Sequence, residues 1–325
     1  MRVEIVTPAP PRTQYGNRVT ALRWARILRG LGHHVRIAQS YRDESVDLLI
    51  ALHAKRSYSA VRSFRRLYPE RPVIVALTGT DLYRDLPRSR RAQTSLELAT
   101  RLVVLQPKAL DELPARLRRK ARVIFQSISP AASKPVNHGS SGRGSSFDVC
   151  VIGHLRPVKD PFRAALAARR LPQKSRVRIL HFGAAMNAEM ASFARAEMKR
   201  NPRYHWLGER PRWRVQQVLA RSPLCVLSSK LEGGANLLSE AIVNGVPVLA
   251  SKIPGSVGIL GDDYPGYFSV GNTPQLARLL RRAETDSAFL ARLRSHCVRL
   301  CPLFRPEREM AAWKRLLNEL SMHQD

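Results

Sequence analysis

Short apolar runs alternate with amphipathic stretches along the whole chain. Runs of strand length lie at Arg2–Thr7, Val35–Ala38, Val46–Leu52, Val73–Leu77, Leu102–Leu105 and Val123–Phe125. The prolines at 8, 10 and 11 end the first of them. Val19, Leu22, Ala25 and Leu28 recur at helical spacing, so a helix is expected over Arg18–Leu31, stopped by Gly30 and Gly32. A basic helix is expected over Tyr58–Leu67, and another from Gln106-Pro107 to Leu117. Strands and helices that alternate in this way form a parallel sheet with both faces covered.

The pattern breaks at 129–146. Pro130, Pro135 and a Gly/Ser-rich run read as a flexible linker. It then restarts, with strands at Val149–Ile152, Val177–Phe182, Tyr204–Leu207, Leu224–Leu227 and Val246–Ala250. Helices are expected at 161–170, 188–200, 212–221, 235–244, 273–284 and 287–298, and a last amphipathic segment at Pro306–Leu320. The division this predicts is a first α/β domain over 1–128, a linker over 129–146 and a second α/β domain over 147–305.

With 325 residues the chain can build two cores, and its 44% hydrophobic content is ordinary for a globular protein. No apolar run approaches the ~20 residues of a membrane span. Met1-Arg2 leads straight into a strand, so no secretory signal is visible, and four cysteines (Cys150, Cys225, Cys297, Cys301) fit a reducing cytoplasm. Cys297 and Cys301 stand four apart without a second ligand pair, so no metal is expected. The net charge of +30 invites a nucleic-acid reading. The excess is spread evenly, however: 25 basic and 10 acidic residues in 1–130, 30 and 15 in the remainder. There is no basic tail, and few aromatics are interleaved. Nucleic acid is therefore not expected as a partner, while weak contact with an anionic membrane stays open.

Candidate chemistry concentrates in Ser228–Ala250. A strand hands over through Gly233-Gly234 to a helix beginning near Ala235, and Asn244-Gly245 ends that helix. Such a turn aims free N–H groups at whatever lies above it, which suits a phosphate. Glu232 precedes the glycines, and Glu240 lies in the second helical turn, where a carboxylate can accept from both hydroxyls of a ribose. Each glutamate alone also reads as an ordinary loop or surface acid. In parallel sheets ligands sit at the carboxyl ends of strands. There the chain places Gly16-Asn17-Arg18, His53 with Lys55, Thr78-Gly79-Thr80-Asp81, Gln106, and Gly153-His154-Leu155-Arg156-Pro157-Val158-Lys159. Arg156 and Lys159 could neutralise a leaving diphosphate without a metal, and no Asp-x-Asp motif is present. His53 reads as a general base, as a donor to the sugar, or as a structural histidine. Lys55, Arg56 and Arg18 make its rim cationic, which suits an anionic acceptor. Trp206-Leu207-Gly208 ends another strand without pointing to a function of its own.

The Glu232…Glu240 set resembles the Glu-x7-Glu motif of GT-B glycosyltransferases, in the large family that includes sucrose and glycogen synthases. The resemblance implies an α/β GT-B fold: two Rossmann-like parallel-sheet domains facing a central cleft, with a C-terminal helix (306–325) crossing back to the first. It implies that Glu240 binds the donor ribose and that Gly233, Gly234, Asn236 and Leu237 form the donor turn. Gly16, Asn17 and His154 join the donor side. Glu232, His53, Arg156 and Lys159 fall in catalytic positions. Arg18, Lys55, Thr78, Thr80, Asp81 and Gln106 fall on the acceptor side. The segment from Gly153 is similar to the family's Gly-Arg-Leu-x-x-x-Lys-Gly, with His154 for the Arg, Arg156 two places later and Asp160 for the Gly.

A narrower resemblance, to the selenosugar synthases of bacterial selenoneine biosynthesis, runs nearly the full length. It is carried by Thr7-Pro8-Ala9, Gly16–Trp24, Ala51-Leu52-His53-Ala54, Leu77–Tyr83, Leu105-Gln106-Pro107, Gln126-Ser127 and Gly153–Arg156. It implies transfer of a sugar from a UDP-sugar such as UDP-N-acetylglucosamine to selenophosphate, with the UDP-sugar as substrate and no cofactor. A GT-B enzyme with a carbohydrate or lipid hydroxyl acceptor is the alternative, and a basic nucleic-acid-binding protein a third.

Overall fold

The computed structural model describes residues 1–13, 15–128 and 146–321. Of the expected linker only Ser146 is among them, and 322–325 lie outside them too. The chain divides into two compact units. Met1–Ser127, Glu232–Asn236 and Arg305–Asp325 form the first, and Ile128–Leu231 with Leu237–Phe304 the second.

In the first unit the elements run β1 (Arg2–Val6), α1 (Gly16–Gly30), β2 (His34–Ala38), β3 (Leu48–Leu52), α2 (Tyr58–Leu67), β4 (Val73–Leu77), α3 (Arg90–Leu98), β5 (Arg101–Val104), α4 (Ala115–Arg118) and β6 (Ala121–Val123). The sheet is parallel, ordered β2-β1-β3-β4-β5-β6. Neighbouring side chains on each strand point to opposite faces. Val3, Ile5, Leu48, Ile50 and Leu52 therefore enter one core with Trp24 of α1. Val6, Leu49, Ala51, Val73 and Val75 enter the other, with Phe64 of α2 and Leu96 of α3. Because both faces are covered, β3 and β4 are apolar at every position.

The second unit repeats the plan with β7 (Phe147–Ile152), α5 (Arg163–Ala168), β8 (Val177–Phe182), α6 (Ala188–Arg200), β9 (Tyr204–Trp206), α7 (Arg212–Arg221), β10 (Leu224–Leu227), α8 (Asn236–Val243), β11 (Val248–Ser251), α9 (Pro254–Leu260), β12 (Tyr267–Phe268), α10 (Thr273–Thr285) and α11 (Ser287–Leu300). Its sheet, also parallel, is ordered β12-β11-β10-β7-β8-β9. Side-chain oxygens of Asn187, Asn272 and Asp286 cap α6, α10 and α11.

Several bounds depart from the sequence reading. The helix expected from Pro107 to Leu117 is broken into a 3-10 turn (Pro107–Leu110) and the single turn of α4, because Pro114 lacks an N–H and disfavours helix at the residue before it. The last strand of the first sheet is Ala121–Val123 instead of Val123–Phe125. The sequence reading did not anticipate α3, α9, β12 or a π-helical turn at Asp81–Asp85. No helix among the described residues is long and apolar enough to cross a membrane.

The final helix, α12 (Pro306–Ser321), belongs to the first unit and packs on α1. Trp313 meets Trp24 edge-on, with ring centroids 4.9 Å apart. Glu309, in the first turn of α12 and 2% exposed, ties the join. One carboxylate oxygen accepts from Trp24 Nε1 at 2.8 Å, and the other from the Ser127 amide at 2.7 Å and its hydroxyl. Arg23 Nε lies 3.2 Å away. Removing the carboxylate strands a buried indole N–H and a buried amide. Glu309→Ala is expected to lower the unfolding free energy by about 2–4 kcal/mol in denaturant titrations. A loss under ~1 kcal/mol would show that Glu309 does not hold the helix.

Candidate functional site

In the second unit, the carboxyl ends of β7, β8 and β10 surround a small cavity lined by Gly153, Lys159, His181, Ser228 and Ser229, among others. Two backbones approach closely here. Gly183 has φ +153°, and a Cβ on it would lie 2.1 Å from the Gly153 carbonyl oxygen. His181 Nε2 donates to that carbonyl at 3.0 Å, while Nδ1 accepts from Tyr204 at 3.0 Å. The chain after β7 leads through exposed Arg156 into a 3-10 turn, Pro157–Lys159. It leaves through Asp160 in the left-handed region at φ 44°, where Arg163 pairs with the Asp160 carboxylate at 2.7 Å. Ser228, just past β10, fastens this turn by donating to the carbonyls of Lys159 and Asp160 at 3.2 and 2.9 Å. The Lys230 amide donates to Val158 O at 2.9 Å. His154 Nδ1 accepts from the Ala184 amide at 3.1 Å. Trp206 Nε1 donates to Gly183 O at 2.8 Å, so that strand end braces the same loop.

Glu240 lies in the second turn of α8, 8% exposed, and accepts from Arg212 Nη2 at 2.7 Å. Leu237 is buried beside it in sequence. Gly245 ends the helix segment at φ 65°, and Asn244 Nδ2 donates to Glu240 O at 2.7 Å.

Glu232–Asn236 groups with the first unit, and there its glycines serve close approach. Neither Gly233 nor Gly234 has a positive φ. A Cβ on Gly233 would lie 2.4 Å from the Thr78 carbonyl carbon and 2.6 Å from Gly79 N, and one on Gly234 would lie 2.6 Å from Leu105 Cβ. Asn236 Nδ2 stands 3.9 Å from where a Gly16 Cβ would be. The segment therefore rests on the carboxyl ends of β4 and β5 and on the start of α1. The chain bends at Gly233-Gly234 as expected, and the glycines are also required because the Thr78–Gly79 backbone and the Leu105 side chain pack against them. Glu232 is half-buried.

The residues chosen in the first unit gather around β3 and β4. His53, 2% exposed, has φ 74°, a conformation rare for a side chain of its size. Its Nδ1 accepts from the Arg56 amide at 3.4 Å, which puts the ring proton on Nε2, 3.1 Å from Thr80 Oγ1. Asp81 is fully buried and turns both oxygens on backbone amides: Ala54 at 3.1 Å, Thr78 at 3.0 Å and Gly79 at 2.8 Å. Expected on the acceptor side, it instead shapes the loop that carries Thr78 and Thr80. Gln106 is buried and donates to the Tyr83 hydroxyl at 2.8 Å. Lys55 lies 3.6 Å from Asp85, which tempers the cationic rim. Asn17 and Arg18 lie half-buried in the first turn of α1. Gln106 Oε1, Arg18 Nε and Asn236 Oδ1 are among the buried polar atoms of the described residues that have no hydrogen-bond partner.

The sequence model for glycosyl transferases group 1 matches residues 134–298, just over half of the chain. The chain belongs to this family. A search of curated proteins found no match. Among solved structures, HepE of Anabaena, in complex with UDP and glucose, is 15% identical with a TM-score of 0.77 over 98% of this chain and 100% of its own. Sucrose-phosphate synthase from Thermosynechococcus elongatus is 15% identical (TM-score 0.76, 99% of each chain). A glycosyltransferase from Rickettsia africae is 11% identical (TM-score 0.74, 98% of each). At these identities the likeness is one of fold, and the fold of this glycosyl transferase is GT-B.

Burial governs its histidines. Desolvation lowers the pKa of His53, and Arg56 adds to the shift against Asp81 and Asp85. Desolvation also lowers that of His154, helped by Arg156 and Lys159. His181 is pushed down to about 4 by burial. Sequence reasoning missed Arg212, Tyr83, Asp85 and Ser228. Ser228 and Tyr83 lie inside stretches already singled out, and Arg212 is a cation in the first turn of a helix whose dipole disfavours it there.

A histidine whose native pKa lies below its unfolded value takes up its proton more readily when unfolded. Its contribution to stability is complete above about pH 6.5 and is lost as pH falls toward the native value. For His181 the loss between pH 7 and pH 5 should be about 2 kcal/mol. In urea titrations at the two pH values, His181→Asn should show a drop smaller by about that amount. An unchanged drop would mean that His181 titrates normally.

Proposed function

We propose that this glycosyl transferase moves a sugar from a UDP-sugar, such as UDP-N-acetylglucosamine, to the selenium of selenophosphate. The donor half of the reading is supported by Glu240, a buried carboxylate in the second turn of α8, and by Lys159 at the carboxyl end of β7. HepE, of the same fold, was solved with UDP and with UDP-glucose. The ribose hydroxyls donate to Glu240, and Arg156 and Lys159 meet the diphosphate. Selenium attacks the anomeric carbon, the C1–O bond to the β-phosphate breaks, and the electron pair leaves on UDP, where the two cations stabilise it. Water then cleaves the Se–P bond, giving phosphate and the free 1-seleno-sugar. The reaction needs no metal.

The observation that carries the acceptor choice is the tautomer of His53. Its unprotonated nitrogen accepts from the Arg56 amide, and its N–H faces Thr80. Held in that way its lone pair is engaged, and it serves better as a hydrogen-bond donor than as a base. A hydroxyl acceptor needs a base, whereas a selenium nucleophile arrives ionised and polarisable and needs positioning. The near full-length motif resemblance to selenosugar synthases points the same way, and the basic residues Arg18 and Lys55 suit an anion.

The test is UDP release with and without selenophosphate, beside a panel of hydroxyl acceptors, with products read by mass spectrometry. Selenium-dependent release and a seleno-sugar are expected. Glu240→Ala should raise the donor KM at least about tenfold, and Lys159→Ala should lower kcat about a hundredfold. Turnover only with a hydroxyl acceptor would replace the acceptor, and normal kinetics in both variants would remove the donor site.

A further inference from the structure

Glu240 is nearly buried and already holds a cation. Arg212 Nη2 sits 2.7 Å from its Oε1, with the arginine side chain 46% exposed and the carboxylate 10% exposed. The two come from different elements, α7 and α8, 28 residues apart. Arg212 is the first residue of α7, after Pro211, and no acidic side chain occupies that first turn. A cation at a helix N-terminus is opposed by the helix dipole. Its position is therefore unfavourable for the helix and favourable only for the carboxylate it meets. A carboxylate taken out of water needs such a partner, since an unpaired buried charge is strongly destabilising.

We infer that Arg212 is a further donor-site residue: it occupies the ribose-binding carboxylate in the absence of nucleotide and is displaced by the ribose hydroxyls. This rests on the donor reading of Glu240 given above. A ribose whose two hydroxyls donate to both oxygens of Glu240 competes with Arg212 Nη2 for Oε1. The exchange is feasible because the guanidinium, half in water already, moves out without being desolvated. Arg212 thus weakens nucleotide affinity while keeping the empty carboxylate paired, and product UDP leaves more readily as the arginine returns.

The experiment is UDP binding by isothermal titration calorimetry to the full chain, at low salt and at about 1 M salt. Arg212→Gln should bind UDP about three- to tenfold more tightly than the wild type at low salt. The ratio should shrink toward one at about 1 M salt, where the ion pair is screened. A stabilising contact alone would not produce tighter binding. In a Glu240→Gln background the Arg212→Gln change should have no further effect. Should Arg212→Gln fail to fold, Arg212→Lys is expected to tighten binding by a smaller factor. Unchanged or weaker UDP binding in the folded arginine variants, with Glu240→Gln still impairing it, overturns the inference alone. A wild type that does not bind UDP, or a Glu240→Gln variant that binds it normally, overturns the donor reading and the inference with it.

Discussion

A carboxylate can leave water only where donors or cations meet it, and that constraint organises both units of this enzyme. The chain has 25 acidic residues against 55 lysines and arginines, and several of the acids are inside. Glu309 gathers Trp24, Arg23 and Ser127, and with them the last helix and the end of the first unit's continuous chain. Asp81 gathers three amides and fixes the loop after β4. Glu197 pairs with Arg169 and Arg200 and accepts from Asn201, joining α6 to α5. Glu4 remains the least satisfied. Its pKa is raised by burial in spite of Arg36, and one of its oxygens has no hydrogen-bond partner among the described residues. Glu240 belongs to this series, paired with Arg212 across α7 and α8.

The parallel sheets were legible because their central strands, such as β3, β4 and β10, are apolar throughout. α2, β4, β8, α6, α7 and β10 begin and end where the pattern places them. What failed to show in the sequence depends on distant partners. β12 is two residues long and exists because it pairs with β11. α9 spans Pro254–Leu260 and includes two glycines, so its helical signal is weak. Pro114 breaks the helix expected up to Leu117.

The candidate site was legible in type more than in role. Small and polar residues after strands could be picked out, because ligands of parallel sheets meet those ends. Their division between ligand and scaffold could not. Asp81 and Gln106 look alike in sequence as polar residues past a strand, yet one binds three amides and the other one phenol. Gly233 and Gly234 could be read as a turn facing a phosphate. They face Thr78, Gly79 and Leu105, a proximity that local sequence does not carry. Arg212 escaped for the same reason, since its meaning lies in a carboxylate 28 positions away.

The electrostatics of the site follow from the same scarcity of acid. Near His53, Asp85 stands within 3.6 Å of Lys55 and 3.4 Å of Arg84, so one carboxylate is shared among the cations of that rim. Burial holds His53 neutral, and the positive charge left over helps, since Arg56 works against the second proton. A neutral imidazole with its lone pair engaged is a weak base and a sound hydrogen-bond donor. Charge, tautomer and burial thus converge on a histidine held neutral at the carboxyl end of β3, with its N–H turned toward Thr80.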